Sequence, residues 1–124
     1  MVTILIVDDS NSLRQSFLSI LSSQKMKVVL AHNGSHAIQL LEKDTPTPDL
    51  VITDLIMPEM NGYELCRWLK NNPATQTIPV VMCSTKSAEF DCYWGMKQGA
   101  DAYLTKPFQA GELVTTVKHL LSAS

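Results

Sequence analysis

The sequence predicts an α/β fold in which five strands alternate with five helices. Two observations carry this prediction: short apolar runs recur five times, and segments with helical spacing of apolar residues lie between them. Near-continuous apolar runs rich in β-branched residues are typical of strands buried on both faces of a parallel sheet. Right-handed crossovers between such strands put helices on both sides of the sheet.

The predicted strands, in chain order, span residues 3–7 (TILIV), 27–31 (KVVLA), 50–53 (LVIT), 78–83 (IPVVMC) and 102–104 (AYL). Turn signals separate several of these elements. They are Asn33-Gly34, the TPTP run at 45–48, Asn61-Gly62, Asn72-Pro73 and Gly99.

The predicted helices carry apolar residues three or four positions apart, which places them on one helix face. The four clear stripes are Leu13, Phe17, Ile20 and Leu21; Ala37, Ile38 and Leu41; Leu65, Trp68 and Leu69; and Leu113, Val114, Val117, Leu120 and Leu121. A fourth helix, about residues 87–98, is expected between the last two stripes. It contains Gly95, which costs a helix about 1 kcal/mol relative to alanine.

The composition predicts a single domain, residues 1–124, with a core large enough for stability without disulfides. The net charge of −2 and the lack of a basic patch argue against direct nucleic-acid binding. Three cysteines without metal-ligand spacing suggest free thiols in a reducing compartment. No signal-like segment or run of about 18 apolar residues is found, so we expect a cytoplasmic protein without membrane insertion.

Polar residues follow four of the predicted strands. Asp8 and Asp9 follow the first, Asp54 the third, Ser84-Thr85 the fourth and Lys106-Pro107 the fifth. Each is ordinary alone, because acidic residues favour helix N-termini and a strand-ending aspartate or a Lys-Pro pair is commonly part of a loop. Ligands of open α/β sheets, however, bind at the carboxyl ends of the strands. We therefore expect all of these residues to meet at one edge.

Three carboxylates at one edge repel one another unless a cation joins them. Mg²⁺ fits, since it takes one or two carboxylates together with phosphate oxygens, and Lys106 adds a further positive charge. No histidine lies nearby in sequence, and there is no Ser-His-Asp order. A carboxylate is then the available nucleophile, and formation of an aspartyl phosphate is the simplest reaction for it.

Four segments make the pattern specific: residues 7–10 (VDDS), 54–62 (DLIMPEMNG), 84–85 (ST) and 99–108 (GADAYLTKPF). With these motifs and their spacing, the sequence resembles the receiver domain of two-component response regulators, of the stand-alone CheY type, over essentially all 124 residues. The resemblance implies a doubly wound, flavodoxin-like sheet of order 2-1-3-4-5. It also implies a phosphorylation switch, rather than an enzyme, that a histidine kinase phosphorylates.

The resemblance assigns a role to each motif residue. Asp54 is the phosphoacceptor. Mg²⁺ is bound directly by Asp9 and Asp54, mostly through water by Asp8, and by the backbone carbonyl of Ile56. The resemblance makes Ser84 and Lys106 partners of the phosphoryl oxygens.

The resemblance also implies how the signal leaves the site. Tyr103 is the aromatic residue that turns inward when Ser84 shifts, and the surface of the fourth helix, fifth strand and fifth helix then changes. A cis Lys106-Pro107 bond is expected. The downstream partner is either a protein target or another regulator that shares the same phosphate.

Several residues near these motifs are less typical. The apolar Ile56 and the cationic Lys86 flank the path of an attacking water, or they merely pack or face solvent. Tyr93, Trp94 and Met96 crowd the fourth helix, either as a partner surface or as half-buried packing. The string at 85–100 resembles the PilH-type regulators of chemotaxis-like pathways that control type IV pili. His32, His36 and His119 are expected to be solvated or capping.

Three other functions stay open. One is an enzyme that hydrolyses a phosphorylated substrate, although Ile56 stands where such enzymes usually carry a second carboxylate and no segment is left for a cap. Another is a flavin-binding module, although Asp8-Asp9 does not offer the donors that cradle a phosphate. The third is an interaction module on the same fold that is never phosphorylated.

Overall fold

The computed structural model describes residues 1–43, 47–85 and 89–123. The strands are β1 (Thr3–Val7), β2 (Lys27–Ala31), β3 (Leu50–Asp54), β4 (Val80–Ser84) and β5 (Ala102–Thr105). The helices are α1 (Asn11–Ser22), α2 (Gly34–Glu42), α3 (Gly62–Lys70), α4 (Glu89–Lys97) and α5 (Ala110–Ala123). In the described part of the chain, no helix is both long and apolar enough to cross a membrane.

The five strands form one parallel sheet in the order β2-β1-β3-β4-β5, which confirms the predicted fold. Val7 stands beside Ala31 on one side and Thr53 on the other, and Asp54 stands beside Cys83. Ser84 in turn is paired with Thr105. This register brings the carboxyl ends of all five strands to the same edge, where ligands of such sheets bind.

Alternate residues of each strand point to opposite faces, so the sheet separates two apolar layers. On one face the strand residues pack with buried residues of α2 and α3: Leu5, Val7, Val51, Val80, Met82, Ala37, Leu65 and Leu69. On the other face they pack with residues of α1 and α5: Ile4, Ile6, Ile52, Val81, Cys83, Leu104, Phe17, Leu21, Leu113 and Val117. The predicted helix stripes thus face the sheet.

The expectation that every strand is buried on both faces is wrong for the two edge strands of the sheet. In β5 only Leu104 is buried. The departure is larger in β2. Only Ala31 of this strand is buried, and Lys27 is exposed. The reason is that β2 lies at the edge of the sheet and pairs with β1 alone among the described strands. An exposed lysine on an edge strand discourages pairing with another chain.

Other boundaries differ by one or two residues. The strand predicted at 78–83 begins at Val80, because Pro79 has no N–H to donate to the sheet. The Asn33-Gly34 and Asn61-Gly62 signals are helix starts, in which each asparagine side chain accepts a backbone N–H of the first turn. Residues 45–46 of the TPTP signal, and 87–88 at the predicted start of the fourth helix, lie outside the described residues.

Candidate functional site

Three carboxylates converge at the edge formed by the strand ends. Asp8 follows β1 directly, Asp9 comes next, and Asp54 is the last residue of β3. One oxygen from each lies within 4.8 Å of the others. Asp8 is buried, the side chain of Asp54 is 12% exposed and Asp9 is exposed. Exposure to solvent therefore increases from Asp8 through Asp54 to Asp9.

Asp8 is held in place by contacts on both its backbone and its side chain. Its Oδ1 accepts the Ser10 N–H at 2.9 Å, and its backbone N–H donates to the Ala31 carbonyl at 3.1 Å. Its own carbonyl accepts Nη1 of Arg14 at 2.7 Å. Sequence reasoning missed Arg14, although its position one turn into the first helix after the acidic pair is a usable signal. These contacts fix Asp8 before any ligand arrives.

Lys106 joins two of the carboxylates. Its Nζ lies 2.9 Å from Asp8 Oδ2 and 3.3 Å from Asp54 Oδ1, and its side chain is only 9% exposed. Burial by itself lowers the pKa of Lys106, but the hydrogen bond to Asp8 and the charges of Asp54 and Asp8 outweigh burial and raise it. The ammonium group is therefore charged and held at the acidic cluster. The Lys106-Pro107 bond is cis, as expected.

The pKa of Asp54 is raised from its ordinary value, first because burial disfavours the carboxylate. Lys106 opposes this shift, and Asp8 adds to it by repulsion. A second cation stabilises the carboxylates against both burial and repulsion, and three carboxylates form a hard oxygen donor set. The residues present therefore fit Mg²⁺, with Asp8, Asp9 and Asp54 as the group that can hold it.

The loop after Asp54 is shaped by a close approach at Gly62. A Cβ at this position would collide with the Asp54 carbonyl and would come within 2.8 Å of Met82 Sδ. The Gly62 N–H donates to the Leu55 carbonyl at 2.8 Å, and Asn61 forms a capping box with Glu64. The start of α3 is thus pinned against the end of β3, which fixes the backbone around Ile56.

Ser84 and Tyr103 are joined at the end of the neighbouring strands. Ser84 is 1% exposed, and its side chain hydrogen-bonds to the phenol of Tyr103. Burial raises the pKa of Tyr103 to about 12, although this hydrogen bond lowers it. The Lys106 N–H also donates to the Ser84 carbonyl, at 2.7 Å. The structure therefore connects Tyr103 to Lys106 through a single buried residue.

The model of the response regulator receiver domain matches residues 4–118 of the chain. The chain belongs to this family. It is 37% identical to Protein PilH of Pseudomonas aeruginosa over 122 residues, which cover 98% of this chain and 99% of PilH.

Solved structures agree with this assignment. A putative response regulator from Chloroflexus aurantiacus superposes with a TM-score of 0.91 at 34% identity, and covers 97% of both chains. The chemotaxis protein CheY4 of Vibrio cholerae gives 0.90 at 29% identity, over 97% of this chain and 98% of CheY4. The receiver fold is therefore shared along nearly the whole chain.

Three large apolar or aromatic side chains of α4 are exposed on the outer surface of this receiver domain. Tyr93, Trp94 and Met96 are 55%, 41% and 48% exposed, so core packing is excluded, and a partner surface and half-buried packing both stay predictions. The Lys97 ammonium lies 5.6 Å from the centre of the Tyr93 ring, a cation–π contact. Ile56, two residues after Asp54, is 54% exposed, so of its expected alternatives burial in the core is excluded, while a place beside the path of water and simple exposure to solvent both stay predictions. Lys86, the other predicted flanking residue, lies outside the described residues.

The histidines are not members of the acidic cluster. His32 and His119 are exposed, while His36 Nδ1 accepts the His32 backbone N–H at 3.2 Å near the start of α2. Burial, followed by the charge of His32, lowers the pKa of His36. The exposed His32 and His119 fit the expected solvated role, whereas the N-cap of α2 is Asn33 and not His36. The pairing of the two rings, with centres 4.3 Å apart, was not anticipated.

Proposed function

We propose that this receiver domain is a phosphorylation switch that accepts a phosphoryl group on Asp54 from a histidine kinase, with Mg²⁺ bound beside it. The observation that carries the proposal is the position of the Asp54 carboxylate. It lies 3.3 Å from the Lys106 ammonium, within the group formed with Asp8 and Asp9, and its side chain is 12% exposed. A donor can thus reach an otherwise enclosed nucleophile.

The reaction is a transfer between two protein side chains. An oxygen of the Asp54 carboxylate forms a bond to phosphorus while the bond from phosphorus to the donor's histidine nitrogen breaks. The product on this chain is an acyl phosphate, and the histidine leaves with its electron pair. Lys106 stabilises the charge on the phosphoryl oxygens, since it is already held between Asp8 and Asp54.

Asp9, Asp54 and the Ile56 carbonyl are the proposed direct ligands of Mg²⁺, and Asp8 acts mostly through bound water. The hydrogen bonds that fix Asp8 support this division, because its Oδ1 and Oδ2 are already engaged by Ser10 and Lys106. When bound, the ion neutralises charge between the carboxylates and the incoming phosphoryl group. The protein residues set its position.

The switch proposed here passes through Ser84 and Tyr103. Phosphorylation adds about −1.5 to −2 charges and three acceptor oxygens, which draw the Ser84 hydroxyl toward Asp54. Tyr103 loses its hydrogen-bond partner and moves, and the surface of α4, β5 and α5 is changed. A partner that prefers one arrangement shifts the population by its differential affinity.

We infer a signalling role rather than an enzymatic one, since the phosphoryl group stays on the chain until water removes it. The similarity to PilH and to a chemotaxis protein supports a chemotaxis-like or pilus motility pathway. The recipient is a protein target or a regulator that competes for the same phosphate. The net charge of −2 supports a protein partner over nucleic acid, and three free thiols support a cytoplasmic location.

The test is the intact mass of the protein after incubation with acetyl phosphate and Mg²⁺. We expect a gain of about 80 Da, the mass of HPO₃, in the wild-type chain and none in Asp54→Asn. EDTA serves as the metal control and is expected to suppress the gain. A wild-type chain that stays unmodified with both acetyl phosphate and a phosphorylated histidine kinase would leave an interaction module as the better account.

A further inference from the structure

Gly95 stands in the interior of α4, where a glycine weakens the helix. The structure gives a spatial reason for it. A Cβ at Gly95 would lie 2.9 Å from Cδ2 and 3.3 Å from Cε2 of the Tyr103 ring. Real Cβ atoms essentially never approach another heavy atom within 3.0 Å, so the ring occupies the space that any other residue at position 95 needs.

Backbone conformation does not explain this glycine. Gly95 is an α-helical residue, and Gly99 is the described glycine with a positive φ, at 103°. Gly111 provides a contrast in α5, because among the described residues no heavy atom lies within 4 Å of a Cβ built there. Of these two helical glycines, only Gly95 has an aromatic ring lying over it.

The ring on Gly95 belongs to the residue that contacts Ser84. Tyr103 is thus held at both ends: its ring lies against the backbone of α4, and its phenol hydrogen-bonds to Ser84. Ser84 adjoins Lys106 through a backbone hydrogen bond, and Lys106 adjoins Asp54. A continuous set of contacts therefore runs from the proposed phosphoacceptor to the middle of α4.

We propose that Gly95 is a positioning residue for the switch: by leaving room for the Tyr103 ring, it couples the state of Asp54 to α4. The inference rests on the proposed function and extends it to a residue outside the site. Its neighbour Trp94, 41% exposed, lies on the surface that the coupling controls. Adding a methyl group at position 95 displaces the ring from Ser84 and weakens the coupling, while the acidic cluster is left intact.

The test uses Trp94 fluorescence as the reporter, in a Trp68→Phe chain so that Trp94 is the remaining tryptophan. Beryllofluoride with Mg²⁺ stands in for the phosphoryl group. Gly95→Ala is compared with the matched control Gly111→Ala, and both are repeated in a Tyr103→Phe chain. Phosphoryl uptake on Asp54 from acetyl phosphate is measured separately by mass.

We expect Gly95→Ala to keep phosphoryl uptake but to lose most of the Trp94 response. We also expect beryllofluoride affinity to fall by about fivefold, the lower end of ordinary coupling between two sites. Gly111→Ala should match the parent chain. In the Tyr103→Phe chain, Gly95→Ala should have little further effect on the response, because the phenol through which it acts is already gone.

A Gly95→Ala chain that responds like Gly111→Ala overturns the proposal. An equal effect of Gly95→Ala with and without the Tyr103 phenol also overturns it, because the role is then merely structural. If no chain takes up a phosphoryl group from acetyl phosphate or from a phosphorylated histidine kinase, the proposed function fails on its own. Unfolding measurements without any donor still test the contact between Gly95 and Tyr103. In these measurements, the loss in free energy of unfolding that Gly95→Ala causes must disappear in a Tyr103→Ala chain.

Discussion

Helices α3 and α4 lie next to each other along the chain, but they are fixed to the sheet in different ways. α3 begins with the Asn61–Glu64 capping box and buries Leu65, Cys66 and Leu69 completely. In α4, Gly95 is buried, while four residues of the same helix face outward: Tyr93, Trp94, Met96 and Lys97. α3 is anchored by apolar burial, whereas the described side chains of α4 offer Tyr93, Trp94 and Met96 to solvent.

Contacts at three places join the described residues of α4 and the residue after it to the rest of the domain. At its C-terminal end, Gln98 accepts the Cys66 thiol at 3.3 Å and the Arg67 guanidinium at 2.6 Å. Near its start, the Tyr63 hydroxyl donates to the Asp91 carbonyl at 3.3 Å. Its middle is held by the Tyr103 ring. Few buried apolar contacts mark regions that open or shift readily. Because residues 91–97, the part of α4 whose side chains the structure describes, bury few apolar groups, we infer that α4 moves while α3 stays.

The largest expected difference between the two helices is in thiol reactivity. Burial raises the pKa of Cys66 in α3 to about 11 from 9.0, and that of Cys83 in β4 to about 12. A pKa that is two units higher lowers the thiolate fraction about a hundredfold. Cys92 in α4 is only partly buried. Ellman's reagent at pH 8 should therefore modify one thiol quickly, and Cys92→Ser should abolish that phase; rapid modification of Cys66 contradicts the comparison.

The next difference is in the free energy of unfolding. Leu69→Ala removes a fully buried side chain from α3 and should cost about 2–5 kcal/mol. Met96→Ala in α4 removes a side chain that is 48% exposed and should stay within about 0.5 kcal/mol. Urea unfolding with an unchanged slope measures both. Equal costs would mean that α4 is anchored as firmly as α3.

The smallest expected effect concerns the hydrogen bond between the two helices. Tyr63→Phe removes the donor to the Asp91 carbonyl and should cost about 0.5–1.5 kcal/mol. Tyr93→Phe is the matched control, because Tyr93 is 55% exposed, and it should be close to neutral. Urea midpoints again distinguish the two variants. A neutral Tyr63→Phe would remove this bond from the account of how α4 is held.

The sequence correctly predicted the features that depend on local residue patterns and on the order of the strands. The runs at Thr3–Val7 and Lys27–Ala31 have the observed bounds, and the strand-end rule brought Asp8, Asp54 and Lys106 to one edge. The exposure of β2 was missed, because an apolar run looks the same at the edge of a sheet as at its centre.

Contacts distant in sequence were also out of reach. Gly95 in α4 was read only as a cost to the helix, since nothing local links it to Tyr103 in β5. The bonds from Arg14 to the Asp8 carbonyl and from His32 to His36 are different, because they join residues only six and four positions apart, and this spacing was a signal that the sequence prediction did not use. Pattern predicts which elements form, whereas side-chain contacts between elements need the packed structure.

Hydrogen–deuterium exchange with and without beryllofluoride and Mg²⁺ tests the central claim most directly. The account predicts that exchange changes in α4 (Glu89–Lys97) and stays the same in α3 (Gly62–Lys70), with no change in Asp54→Asn. Fluorine NMR of the bound beryllofluoride confirms that the site is filled. A filled site with equal changes in both helices, or with none in α4, would contradict the account.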